Sequence, residues 1–512
     1  MSFAPAHPVS GWGGTEPRAA VAADGTRYVT WQGGDLVARS FDGQHWDTVL
    51  GGHTAPPFSP TDPGSELFDA GDVDVAVGVD GTIYVSSLAL NTTEGIGVDI
   101  VSSHDGGKTW TLVNPHAGEA ASDRPWIAAG PGPGDLVLYE KDLHVEAPVV
   151  RVSHDGGRTF GPISPVITDP ALADFAVQVY DGNFQVAHDG TIYVPFIVPN
   201  AVDQSVGAPS SQSFPITNVV VGVGHENPAT HVVTFVDRVI PPPLHLPSTG
   251  NAAYVFPTLA LDTADEPVVA WSQGPTYAGP YDVYLSSCAT TCADPVAEAN
   301  PLSGIWSDPV KVAAPPGNHV FPSIVAGSPG RLAVAWYGTP YTGDTTGGPG
   351  AGSLGAGAAP ADWRTYVATT TDWVPGSSRQ PTFDVTDASG HVVHHGNICL
   401  GGTFCDLAGA PTCPPLGCGD RAMADNLGLA LGPDGGTLVT WTDYSTGSGL
   451  VFAACQAAGP SLLAGHADLS GCGVSASGPG PSLPEAPSPA LLVVVPVVLG
   501  VGWAFWRRRR RS

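Results

Sequence analysis

Three arginines stand beside acidic residues in short polar runs: Glu16-Pro17-Arg18, Asp123-Arg124-Pro125-Trp126 and Asp420-Arg421-Ala422-Met423-Ala424-Asp425. A guanidinium is planar, permanently charged and able to bond a carboxylate through two parallel N–H donors. Brought together, Arg18, Arg124 and Arg421 would clamp an anionic ligand, with Trp126 offering a face for it. The plainer alternative is that each arginine pairs with the acid next to it, Glu16, Asp123 or Asp420, and pins the fold. Hydrolysis needs groups that give and take protons. The candidates near these runs are Asp123, Asp425 and Tyr444, with the three arginines as charge stabilisers.

Two metal readings compete with this. Asp69, Asp72 and Asp74 could offer oxygens to Ca²⁺, but Asp72 and Asp74 straddle the start of a strand pattern and no EF-hand spacing surrounds them. His391, His394, His395 and Cys399 are zinc-ligand types, yet they run into Cys405, Cys413 and Cys418, which suit disulfides better. No cofactor is expected, with Ca²⁺ the alternative. The chain contains no P-loop, no dinucleotide fingerprint and no Gly-x-Ser-x-Gly elbow.

The elements that must position these residues announce themselves by repetition. A turn, often Asp-Gly, leads into an alternating apolar strand rich in aromatics at Asp24–Trp31, Asp80–Ser86, Gly134–Tyr139, Asp189–Val194, Asp265–Trp271, Gly330–Trp336 and Asp434–Trp441. Asp-Gly supplies the positive φ angles of a tight hairpin. Another short apolar strand precedes each turn, as in Val73–Val77 and Thr258–Leu261, and several units add a third strand and a second turn. A unit of about 50 residues with four strands is one propeller blade. The expected fold is an all-β propeller of four-stranded blades, seven of them, with six the alternative. Composition agrees: 66 Gly and 51 Pro among 512 residues, with only 13% charged, favour a punctuated β protein over helices. The net charge of −28 repels phosphate backbones and excludes a nucleic-acid partner.

The second turn of two repeats carries a longer pattern. Ser103, Asp105, Gly107, Thr109 and Trp110 are matched by Ser153, Asp155, Gly157, Thr159 and Phe160, 50 residues later. Ser40-Phe41-Asp42-Gly43-Gln44-His45-Trp46 is a degenerate copy one residue short. This resembles the Asp boxes (bacterial neuraminidase repeats) of sialidase-like β-propellers, over about Glu16 to Gln456. The resemblance implies that the boxes are structural and lie on the bottom face, remote from substrate. It also implies three arginines on the substrate carboxylate, a Tyr nucleophile assisted by Glu, and an Asp acid/base. The family's Phe/Tyr-Arg-Ile-Pro signature is replaced here by Pro17-Arg18-Ala19-Ala20, and no Tyr-Glu pair can be assigned.

The ends of the chain bear on location. Residues Pro489 to Trp506 carry no charge and are followed by Arg507 to Arg511, so a transmembrane helix over 489–506 with a cytoplasmic tail at 507–512 is expected. The propeller, 1–458, would then lie outside the cell on a Gly/Ser/Pro-rich stalk at 459–488, although no signal peptide is visible. Eight cysteines in close pairs, Cys288/Cys292, Cys399/Cys405, Cys413/Cys418 and Cys455/Cys472, read as disulfides of an oxidising compartment. The last repeat has three strands, so Ser2 to Ser10 is expected to close the ring as its outermost strand. The function implied is a membrane-anchored, cell-surface propeller binding a glycan or a surface protein at its top face. The alternative is a glycoside hydrolase of the exo-α-sialidase type.

Overall fold

The computed structural model describes residues 1–472 apart from 33–35, 52–66, 92–94, 116, 119–120, 143–146, 171–179, 182, 199–217, 245, 247–250, 253–255, 277–278, 289–305, 313, 346–359, 399 and 401–419. Their strands form seven antiparallel sheets, each a blade of a seven-bladed propeller. Blade 1 runs Thr15–Val21, Arg27–Gln32, Leu36–Ser40, Asp47–Leu50 from the inside outward. Blade 2 extends from Leu67–Val77 to Thr111–Asn114, blade 3 from Ser122–Ala129 to Ser164–Pro165, and blade 4 from Tyr180–Asp181 to Val233–Ile240. Blade 5 extends from Asn251–Ala252 to Val310–Lys311 and blade 6 from Asn318–Ala326 to Asp384–Asp387.

Blade 7 contributes Gly428–Leu431, Thr437–Asp443 and Leu450–Ala458, and its fourth position is filled from the start of the chain. Ser2 pairs with Ala458, Phe3 with Gln456 and His7 with Ala453. Pro8 stands opposite Phe452, on an outermost strand where its missing N–H costs no ladder bond. The ring is thus closed by exchange of termini, as the three-stranded last repeat demands.

All seven hairpins between first and second strands form. In blade 1 the Ala22 N–H bonds to Thr26 O at 2.8 Å, Gly25 sits at φ 85°, and Asp24 Oδ1 accepts the Thr26 N–H at 2.8 Å. Blades 2, 4 and 7 repeat this with Asp80, Asp189 and Asp434. Behind the hairpins the second strands bury Trp31, Tyr139, Trp271, Trp336 and Trp441 between adjacent blades.

The second turns sit at the same end of the blades, since the Gly156 N–H bonds to Gly134 O of the blade 3 hairpin at 2.9 Å. In the first of them Asp105 Oδ1 accepts from the backbone of Lys108 and Thr109 at 3.0 and 2.9 Å, and Ser103 Oγ accepts from Gly107 N–H at 2.9 Å. These bonds hold the Asp105 carboxyl well below its usual range. Trp110 Nε1 donates to Val49 O of blade 1 at 2.9 Å, so the turn ties two blades together. Asp155 repeats the pattern with Thr159 at 2.9 Å.

Of the four expected disulfides, the described residues contain one complete pair, Cys455 bonded to Cys472. Cys288 is also disulfide-bonded. Its expected partner Cys292 lies outside the described residues, so the pairing Cys288/Cys292 stays an expectation from the sequence. Cys399, Cys405, Cys413 and Cys418 lie outside them too, and with them both remaining pairs. Leu462 is buried in the core and Gly459 bridges Leu469, so residues 459–472 belong to the propeller and the expected stalk cannot begin at 459. Residues 473–512, and with them the expected helix at 489–506, lie outside the described residues. Among the described residues no helix is long and apolar enough to cross a membrane.

Candidate functional site

Antiparallel blades put the start of every first strand at the end opposite the hairpins, so the residues entering those strands gather at one mouth of the central channel. A local device aims them. The pairing of the first and second strands is interrupted between Thr15 and Arg18, Phe68 and Val73, Asp123 and Trp126, and Val320 and Ser323. At these bulges Glu16, Arg124 and Phe321 adopt φ of 53°, 56° and 56°, each directly before a proline; Ala424, before Asp425, has φ 51°. Left-handed non-glycine residues are uncommon and strained, and bulges re-aim side chains. Here they turn a charged or aromatic side chain toward the channel.

Two of the three arginines, Arg124 and Arg421, converge, but on a carboxylate of the protein itself. Asp425 Oδ2 lies 3.0 Å from Arg421 Nη2 and 3.6 Å from Arg124 Nη2, and Glu16 Oε1 lies 3.9 Å from the same Arg421 nitrogen. Blades 1 and 3 and the run entering blade 7 are thereby linked in one network. Arg124 also stacks on Phe256, 4.3 Å from the ring centroid, and Arg18 on Trp126 at 3.9 Å. Asp72 accepts from Gln32 Nε2 at 3.3 Å and lies close enough to Glu16 for each to affect the other's charge. Glu16, Asp72, Asp425 and Arg124 are all buried.

Burial sets the protonation of this cluster. Removal from water pushes the Asp72 carboxyl up to about 6, with the negative charge of Asp123 adding to the effect and Arg124 opposing it. Glu16 is raised well above its usual range, first by burial and then by Asp72 and Asp425. Two adjacent buried acids cannot both ionise cheaply, so the pair retains a proton toward neutral pH. Beside them Asn426 has neither side-chain N nor O hydrogen-bonded, and Arg18 Nε and Asp425 Oδ1 are also without hydrogen-bond partners. These groups, with Asn183, Phe256 and Phe321, line a cavity of about 10 Å³, enough for about one water molecule.

The remaining expected residues go elsewhere. Asp74 Oδ1 and Oδ2 take the backbone N–H of Val75 and Ile127 at 2.9 and 3.1 Å. With Asp72 turned to Gln32 and Glu16, the two carboxylates do not build the oxygen cage a Ca²⁺ site needs; the side chain of Asp69 lies outside the described residues. Tyr444 is half-buried against His394, with ring centroids 6.4 Å apart. His391, His394 and His395 each face a different partner, Asp443, the Asn397 carbonyl and Asp362, rather than a common centre. The tyrosine near the acid cluster is instead Tyr337, whose buried Oη accepts the Thr442 N–H at 2.9 Å. Burial raises its pKa far above the usual value, and the negative charge of Asp443 adds to the effect. Asn183, Phe256, Phe321 and Asn426 are not among the residues singled out as candidates from the sequence. The signal for two of them was a proline following an aromatic at the head of a first strand, Phe256-Pro257 and Phe321-Pro322, in register with Glu16-Pro17 and Arg124-Pro125.

No protein-family model matches the chain, and no curated protein matches it. Among solved structures, an α-L-arabinofuranosidase of Fusarium graminearum in complex with arabinobiose is similar at 13% identity, over 76% of this chain and 97% of that one, with a TM-score of 0.40. An α-L-arabinanase of Penicillium chrysogenum is similar at 13% identity over 77% and 100%, with a TM-score of 0.38. A streptogramin B lyase is similar at 10% identity over 89% and 99%, with a TM-score of 0.42. The propeller assignment rests on the sheet order and not on these likenesses.

Proposed function

We propose that this propeller is a glycan-processing protein whose site is the channel mouth, a glycoside hydrolase acting on a neutral sugar. The observation that carries the reading is the buried acid pair Glu16 and Asp72 beside a second carboxylate, Asp425. Glycosidic hydrolysis uses one carboxyl that is protonated at working pH and a second carboxylate that assists water or the cationic sugar. Asp72, poised near 6, suits the first role. Asp425 suits the second, and the one-water cavity beside it suits the hydrolytic water. Arg124 and Arg421 are engaged by Asp425 and are not free to clamp a substrate carboxylate, which argues for a neutral sugar over a sialoside. Tyr337, with its phenol pushed toward the neutral form, is ill suited to the nucleophile role of sialidases.

A second reading, a propeller that binds a glycan or a surface protein without turning it over, is favoured by the same closed network and small cavity. Display on the cell surface through 489–506 accompanies either reading, on the strength of the sequence alone.

The test is a panel of fluorogenic glycosides, one sialoside and several neutral pentosides and hexosides, run beside a glycan array. Turnover of a neutral glycoside that is lost in Asp72→Asn supports the hydrolase. Array binding without turnover supports the second reading, and turnover of the sialoside alone overturns the neutral-sugar assignment.

A further inference from the structure

At the opposite end of the molecule the second turns of blades 3 and 4 bring two histidines and a carboxylate together. His154 Nε2 lies 3.0 Å from Glu226 Oε1, and His231 Nδ1 lies 2.7 Å from the same oxygen. One ligand atom from each of the three residues lies within 4.8 Å of the others. Four-coordinate zinc with bonds of about 2.0–2.2 Å spaces its ligand atoms about 3.3 Å apart, close to what these side chains already show. We propose that His154, Glu226 and His231 form a divalent transition-metal site, with Zn²⁺ the fitting ion, that staples blade 3 to blade 4.

Three further features point the same way. Asp135, in the blade 3 hairpin, lies 2.8 Å from His154 Nδ1 and keeps the proton there, so a metal would displace only the Nε2 proton, which faces Glu226. A carboxylate behind a histidine is the usual orienting partner of a metal ligand. His231 is held at φ 57°, a left-handed conformation that sets the direction of its side chain at the turn. Gly161 of blade 3 lets the blade 4 turn come close, since a Cβ there would stand 2.9 Å from the His231 Cβ. Two imidazoles and one carboxylate favour zinc over the hard, oxygen-seeking Ca²⁺ and Mg²⁺. With His154 and His231 about half exposed, solvent would complete the coordination.

Chelator-treated full-length protein, titrated with ZnCl₂ by calorimetry, tests this. Saturable uptake of one equivalent is expected, with no uptake of Mg²⁺, and zinc should raise the melting temperature. His231→Ala should abolish both effects; should that variant fold poorly, His154→Asn provides the same readout. Asp135→Asn should weaken binding by about 10-fold to 100-fold, as loss of an orienting partner does. His188→Ala, an exposed histidine paired with Asp265, should change nothing. No saturable zinc binding by the unaltered protein, or binding that persists in both His231→Ala and His154→Asn, would overturn the proposal.

Discussion

Asp72 concentrates the chemistry of the channel mouth in one side chain. Its carboxyl is raised from about 3.8 to about 6 by burial, so the folded state holds its proton more tightly than the unfolded chain does. The associated stability is present in full below the unfolded value and is lost as pH rises through the folded one. The melting temperature should therefore fall between about pH 4 and pH 6.5 relative to Asp72→Asn, which carries no such charge. Thermal melts of both proteins across that window check this. A difference that is flat with pH would mean that Asp72 titrates as an ordinary carboxylate. The residues of the mouth were partly legible in the sequence. Arg18, Arg124 and Arg421 could be found because charged side chains are rare in this chain. The pairing of Arg421 with Asp425 lies within one run, but that of Arg124 could not be read, because it pairs across the ring with Asp425 and not with its neighbour Asp123.

Among the elements, the turn after the third strand of blade 2 fastens that blade to blade 1. Trp110 is buried and hydrogen-bonded to the preceding blade, so Trp110→Ala should cost about 3–5 kcal/mol of stability in chemical denaturation. A loss near zero would show that the indole is not a wedge between blades. Blade 6 contains a variant of the same turn that the spacing conceals. Thr370 Oγ1 donates to Asp372 Oδ1 at 2.8 Å, and the same oxygen accepts the Thr382 N–H at 2.9 Å, just as Asp105 accepts from Thr109. More residues separate the two halves than in the blade 2 turn, so a fixed-spacing pattern passes over it. The hairpins were legible for the opposite reason: Asp-Gly and a short alternating strand are local signals that survive one at a time.

For the whole molecule, closure of the ring depends on Ser2–Phe3 and His7–Gly13. Val9 is buried there, and Thr386 of blade 6 donates to Met1 O at 3.2 Å, so this segment spans the seam between the last two blades. Deleting residues 1–10 should lower the melting temperature and open the blade 7 edge to protease, with Val9 alone worth about 2 kcal/mol. An unchanged melt would show that blade 7 is stable with three strands. This closure could be inferred from a strand count, whereas the metal cluster could not, because its ligands lie 72 and 77 positions apart and meet only when blades 3 and 4 stand side by side. The central claim is that ligand chemistry belongs to the mouth and architecture to the opposite end. It is tested most directly by measuring turnover of the best glycoside from the panel by Asp72→Asn, Asp425→Asn and Asp105→Ala, each corrected for the folded fraction. The account predicts losses of about 100-fold or more in the two mouth variants and unaltered turnover per folded molecule in Asp105→Ala. Full activity in both mouth variants, with activity lost in folded Asp105→Ala, would contradict it.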